Sequence, residues 1–201
     1  MPRVVSAGEA EAFRQRLVET AEGLIVGRKS IDFTMRELAV AVGCSPMLPY
    51  RYFKDKEDIL AAVRALAFTR FAEALEAPPI RPGAAEERSA GVGDAYVDFA
   101  FANPELYRLM FDSGKAEPGR WPDLDEAGER ARETMSAHVR VLVEKGFLNG
   151  DPLVIGHLFW AGLHGLIMLE MGGQLSPEPG FEALRVAFVK AMVFGLRQPL
   201  P

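Results

Sequence analysis

The stretch Thr34–Lys56, TMRELAVAVGCSPMLPYRYFKDK, decides how the chain is read. Thr34 followed three residues later by Glu37 is a capping-box pattern, in which each side chain satisfies an amide at a helix start. The spacing predicts a short helix beginning at Thr34, with Leu38, Ala39 and Val42 on its apolar face. Gly43 is the residue type that most readily leaves a helix in the left-handed conformation, so the helix should end there. Ser45 offers a second cap, and Pro46 a first helical position where the missing N–H is harmless. Two short helices joined by a Gly-containing turn form a helix-turn-helix, whose second helix suits a DNA major groove.

That second helix carries Met47, Leu48, Tyr50, Arg51 and Tyr52, with Lys54 and Lys56 just beyond. Cations and tyrosines so close together suit a phosphate-rich partner, and Arg51 is the strongest candidate for a guanine contact. The competing reading is a helical hairpin with a solvated basic turn. Pro49 cannot donate to the Ser45 carbonyl and its ring crowds it, so a distorted or 3₁₀ opening is expected.

The order Thr34-x-Arg36-x-Leu38-Ala39, then Val42-Gly43-Cys44-Ser45, then Tyr50-Arg51-Tyr52-Phe53-Lys54-x-Lys56-Glu57 resembles the N-terminal domain of the tetracycline-repressor (TetR) family of bacterial transcription regulators. The match runs from about Phe13 to Leu66. The resemblance implies that Arg36, Pro46, Met47, Leu48, Tyr50, Arg51, Tyr52 and Lys56 approach DNA, the last from the start of a fourth helix. Thr34, Ser45 and Lys54 complete the expected DNA-facing set. The chain departs from the usual pattern where Met47 replaces a common Gly, Leu48 a common Thr and Pro49 a common Leu.

The formal net charge is -5, with 49% hydrophobic residues, enough to fill a core in a 201-residue chain. Residues 1–56 carry nine Lys or Arg against seven Asp or Glu, and the remainder fourteen against twenty-one, giving +2 and -7. The N-terminal part can approach DNA while the acidic part stays away. The single cysteine, Cys44, excludes an intrachain disulfide and reads as a small core residue, with a redox sensor as the alternative. The N-terminus lacks the apolar core of a secretory signal, and the cytoplasm is the default compartment.

Outward from the motif, Phe13, Leu17, Ala21, Leu24 and Ile25 form the stripe of a first helix over 9–26, and Arg28 and Lys29 read as solvated loop cations. A long helix follows over Asp55–Glu76, with Ile59, Leu60, Val63, Leu66, Ala67, Phe71 and Leu75 inward, until Pro78, Pro79, Pro82 and Gly83 end it. Helices are then expected over 84–102, from Pro104 to about Asp112, over 123–145 after a loop marked by Gly114, Pro118, Gly119 and Pro122, over about 152–169, and over 181–197. The expected fold is all-α, in three segments: 1–56 a helix-turn-helix DNA-binding domain, 57–83 a connecting helix and linker, and 84–201 a ligand-binding and dimerisation domain.

Residues 152–169 run eighteen positions without a formal charge, nearly enough to span a bilayer. His157, His164, the flanking Asp151 and Glu170, and the glycines argue instead for a covered helix in a protein without a membrane segment. Together with the last helix, whose apolar face is Leu184, Ala187, Phe188, Ala191, Met192 and Gly195, it suggests a homodimer through 152–175 and 181–197. Residues 94–175 also resemble a subgroup of the same family named after a Trp-His-Gly triad, here Trp160, His164 and Gly165.

Catalysis finds no support in the motifs, and no cofactor or metal is expected. His157 and His164 lie about 10 Å apart along a helix, too far to share a metal unaided, and read as histidines bonded to a carbonyl or carboxylate. Phe99, Tyr107, Met110, Phe111, Trp121, Met135, His138, Phe159, Trp160, His164 and Met168 are candidates to line a cavity for a small apolar or aromatic effector, though a solid core would look the same. The expected function is a repressor that binds a palindromic operator as a homodimer and is released by such an effector. The alternative is a dimeric helical ligand-binding or protein-interaction regulator that does not act through DNA.

Overall fold

The computed structural model describes residues 6–78, 80, 84–112 and 119–197. Its regular structure, among these residues, is helical throughout: α1 (Ala7–Arg28), α2 (Met35–Val42), a 3₁₀ turn (Pro49–Arg51), α3 (Lys56–Glu76), α4 (Ala85–Ala102), α5 (Pro104–Asp112), α6 (Pro122–Glu144), α7 (Pro152–Met171) and α8 (Gly180–Leu196). The chain divides into two compact units, one of residues 1–69 with 105–128 and the other of 70–104 with 129–201.

In the first unit, α1 starts from a capping box between Ser6 and Glu9, two residues ahead of the expected start. It buries Leu17, Val18, Ala21 and Ile25. Helix α2 has the expected Thr34–Glu37 box and ends at Gly43, whose φ of 77° lets the Cys44 amide reach back to the Ala39 carbonyl at 2.9 Å. The second short α-helix expected from Ser45 is absent. The Leu48 amide takes the Ser45 carbonyl at 3.0 Å, and Pro49 has no N–H with which to continue an α-helical ladder. The chain instead makes i→i+3 bonds, Arg51 to Leu48 at 3.1 Å and Tyr52 to Pro49 at 3.0 Å, with one i→i+4 bond from the Phe53 amide to the Pro49 carbonyl at 3.0 Å, so the 3₁₀ geometry extends through Pro49–Arg51.

The expected boundaries at 56 and 83 do not coincide with the edges of the compact units, because chain from beyond the break returns to the first unit. Tyr107 and Met110 are fully buried there, the Phe111 ring meets Tyr107 at 5.0 Å and Phe68 at 5.7 Å, and Arg64 Nη2 donates to the Met110 carbonyl at 3.2 Å. Of the residues expected to mark breaks, Pro79, Pro82, Gly83, Gly114 and Pro118 lie outside the described residues.

The second unit buries Phe71 against Tyr96 and Phe99, each pair of rings 5.1 Å apart. A further cluster joins Val139, Leu142, Leu148, Ile155 and Leu196. Asp151 caps α7 as expected, and Asn149 holds the end of α8 by donating its amide to the Leu196 carbonyl at 2.7 Å. Helix α7 is long and apolar enough to cross a membrane by length and composition, yet in the single chain it is far from covered on every side: Leu153, Val154, Leu158 and Leu169 are exposed. On α8 the expected apolar face is likewise split, with Leu184, Phe188 and Met192 partly buried and Ala187, Ala191 and Gly195 exposed.

Helices α7 and α8 pack together at Gly162, where the Phe188 ring occupies the space of an absent side chain; a Cβ there would stand 2.1 Å from the ring. Gly162→Ala should therefore destabilise the protein by about 1–3 kcal/mol despite the better helix propensity of alanine. Adding Phe188→Leu should recover part of the loss in urea denaturation, and additive effects of the two changes would disprove this contact.

Candidate nucleic-acid interface and cavity

The end of α1 and the start of α2 are tied by one carboxylate. Glu37 Oε2 accepts from the Thr34 amide at 2.7 Å and the Thr34 hydroxyl at 2.8 Å, while Oε1 pairs with Arg28 Nη2 at 2.9 Å. The Thr34 bonds and the Arg28 guanidinium hold the Glu37 carboxyl down to about 2. Arg28 also donates to the Asp32 carbonyl at 3.1 Å, so it is a structural tie and not the solvated loop cation expected. The Thr34 hydroxyl is committed to this cap.

Beyond α2, the candidates sort by exposure. Arg36, Ser45, Pro46, Met47, Tyr50, Arg51 and Lys54 are exposed, Met47 at 70%. Arg36, Arg51 and Lys54 have no carboxylate partner among the described residues. Leu48 is half-buried beside buried Pro49, and the Tyr52 ring lies 5.1 Å from that of Phe13, which makes Tyr52 a packing residue first. Lys56 Nζ sits 5.1 Å from the centre of the Phe33 ring at the start of α3, which Asp55 caps through the Asp58 amide at 3.0 Å. The unit thus presents unpaired cations, a tyrosine and an apolar tip on one short turn, a combination suited to phosphate and base-edge contacts. Cys44 is a partly buried free thiol in the turn.

The cavity lies in the second unit. It holds about 370 Å³, near the lower end of small-molecule sites, and is walled mostly by apolar side chains. Among the expected residues Met135, His138, Phe159 and Trp160 line it. Tyr107, Met110, Phe111 and Trp121 do not, being packed in the first unit, where the Trp121 indole donates to Asp58 Oδ1 at 2.9 Å. Phe99 is spent on Phe71, and His164 and Met168 are half-buried on α7 away from the lining. Gly165 has open space around it. Of the two α7 histidines, the exposed His157 bonds the Leu153 carbonyl through Nδ1 at 2.8 Å.

Sequence reasoning missed the contributions of α4 and α8 to this wall, among them Ser89, Tyr96, Arg185, Val189, Lys190 and Val193. The signal was present, since Arg185, Val189, Val193 and Arg197 recur every four residues along α8. Ser89 Oγ lies 2.9 Å from His138 Nδ1. Burial chiefly, then the nearby Arg88 charge, push the His138 imidazole down to about 4, so it is neutral at pH 7 and too weakly basic to activate the serine.

Comparison with known proteins places these features in context. The family described as tetracyclin repressor-like, C-terminal domain, matches residues 89–192. No curated protein sequence matches. Among solved structures, a protein of unknown function from Rhodococcus sp. RHA1 is 29% identical with a TM-score of 0.77, over 92% of this chain and 95% of that one. A TetR-family transcriptional regulator from Pectobacterium atrosepticum shares the fold at 23% identity and a TM-score of 0.71, over 97% and 100% of the two chains. PfmR, a TetR-family transcriptional regulator from Thermus thermophilus, does so at 22% identity and 0.63, over 94% and 97%.

The lowered His138 value carries a signed consequence. The unfolded chain takes up a proton as pH falls below the ordinary 6.5 while the folded chain does not until about 4, so stability drops through that window. Between pH 7 and pH 5 the loss from this group should be about 1–2 kcal/mol. In urea titrations at the two pH values, His138→Gln should show a smaller drop than the parent protein; an equal drop would refute the assignment.

Proposed function

The chain belongs to the tetracyclin repressor-like (TetR) family of transcription regulators, whose C-terminal domain it matches over more than half its length, and from that premise we propose that it is a homodimeric repressor of its own operator DNA. The family's general activity is ligand-responsive DNA binding, which is not an enzymatic function. The observation that carries the reading is the exposed turn bearing Met47, Tyr50, Arg51 and Lys54, together with exposed Arg36 on α2, cations that no carboxylate neutralises among the described residues. Residues 1–56 serve as the DNA-binding domain, 57–83 as the connection and 84–201 as the effector-binding and dimerisation domain, acting in the cytoplasm. Arg51 reads a base edge, and Arg36, Lys54 and Lys56 hold the phosphates.

Two copies meet through α7 and α8, where Val154, Leu158, Leu169 and Phe194 are exposed in the single chain. A two-fold axis through that face gives a palindromic operator with half-sites one or more turns apart. A small apolar effector in the α4–α6–α7–α8 cavity releases the DNA only by binding better to a dimer whose reading turns are wrongly spaced, a coupling of about 1–3 kcal/mol.

Selection from random duplexes should enrich a two-fold symmetric sequence, and Arg51→Ala should weaken its binding at least about tenfold, as loss of a bidentate base contact does. Retained affinity in a gel shift would remove Arg51 from the interface. Leu158→Arg should leave the chain folded by circular dichroism but monomeric in sedimentation, with operator binding lost; a dimer of unchanged stability would refute the α7–α8 interface.

A further inference from the structure

Two ion pairs join α4 to α8 across the cavity. Glu86 bonds Arg197 at 2.8 Å, and Asp94 bonds Arg185 at 2.6 Å, so the helices run antiparallel with a pair at each end. Between the pairs, α4 contributes Ala90 and Gly93 and α8 contributes Val189 and Val193, all of them lining residues. Short side chains on both helices leave a slot between the two pairs, which are separated by roughly 12 Å along α4 and 18 Å along α8.

The charges around this slot balance in sum, three carboxylates against three cations, but not in place. Arg185 is shared by Asp94 and by Glu182 at 2.8 Å, and Arg197 is taken by Glu86. Lys190 also lines the cavity from the middle of the α8 edge, is exposed, and has no carboxylate partner among the described residues. His138, also in the lining, is neutral at pH 7 and adds no charge. One cation without an ion-pair partner therefore stands at the mouth of a mostly apolar chamber, placed to donate a charged hydrogen bond to an anion.

We propose that the cavity binds an amphiphilic monocarboxylate, which enters between α4 and α8, lays its apolar body against Phe159 and Trp160, and leaves its carboxylate at Lys190. This rests on the reading of the cavity as the effector site and names the chemical class of the effector. A single free lysine matches a single negative charge; a dianion would need a second cation, and both nearby arginines are already engaged. The same lysine disfavours cationic amphiphiles of equal length.

The test is calorimetric titration of the full-length protein with decanoate, decan-1-ol and decylammonium, in the parent and in Lys190→Met. Decanoate should bind the parent about fivefold to tenfold more tightly than decanol, the range expected for one partly exposed charged hydrogen bond, and decylammonium most weakly. Lys190→Met should remove the preference for decanoate and leave decanol unchanged, while Lys145→Met, outside the cavity, should change nothing. Equal binding of decanoate and decanol by the parent, or the same weakening in both lysine variants, overturns the carboxylate assignment and leaves the cavity as an effector site for neutral molecules. Failure of all three probes to bind overturns the effector site and the proposal together.

Discussion

The DNA-facing unit depends on where the carboxylate of Glu37 goes. A helix as short as α2, eight residues, cannot hold itself together in water, since its few internal hydrogen bonds do not repay the cost of nucleation. Glu37 closes the first turn onto Thr34 and at the same time takes Arg28 from the last turn of α1, so one side chain starts α2 and fixes it to its neighbour. Gly43 closes the other end. With both ends pinned, the chain must leave α2 in a defined direction, and Met47, Tyr50 and Arg51 are carried to the surface.

Pro49 determines the character of the reading turn. A proline four residues after a helix cap takes away an amide and crowds a carbonyl, and the segment settles into 3₁₀ turns with the proline ring buried. Three residues per turn aim side chains differently from 3.6, so base contacts made from this turn adopt a geometry of their own. Tyr52, resting on the Phe13 ring, braces the turn.

The second unit answers a different constraint. It has more apolar helix surface than one chain can cover, and α7 and α8 come close where Gly162 admits the Phe188 ring. On the α4 side, long arginine side chains bridge where backbones do not approach, and a cavity remains beneath them. A fully interdigitated core would have no room for a ligand; a bundle propped open by ion pairs does.

The all-helical class, the Thr34–Glu37 cap, the Gly43 stop and a 3₁₀ distortion at Pro49 were determined by the sequence itself, because caps, stops and prolines act over three or four residues and their partners are neighbours in the chain; that no α-helix follows Ser45 was not read from it. The Ser6–Glu9 box has the same local character and was equally legible. The identity of the cavity wall was decided only by tertiary structure. Tyr107, Phe111 and Trp121 have the same composition signature as Phe159 and Trp160, yet the former pack within one unit and the latter line a chamber in the other. Hydrophobicity says that a side chain avoids water and not which neighbours it finds, and whether Arg185 faces Asp94 ninety-one residues away depends on how helices far apart in sequence pack.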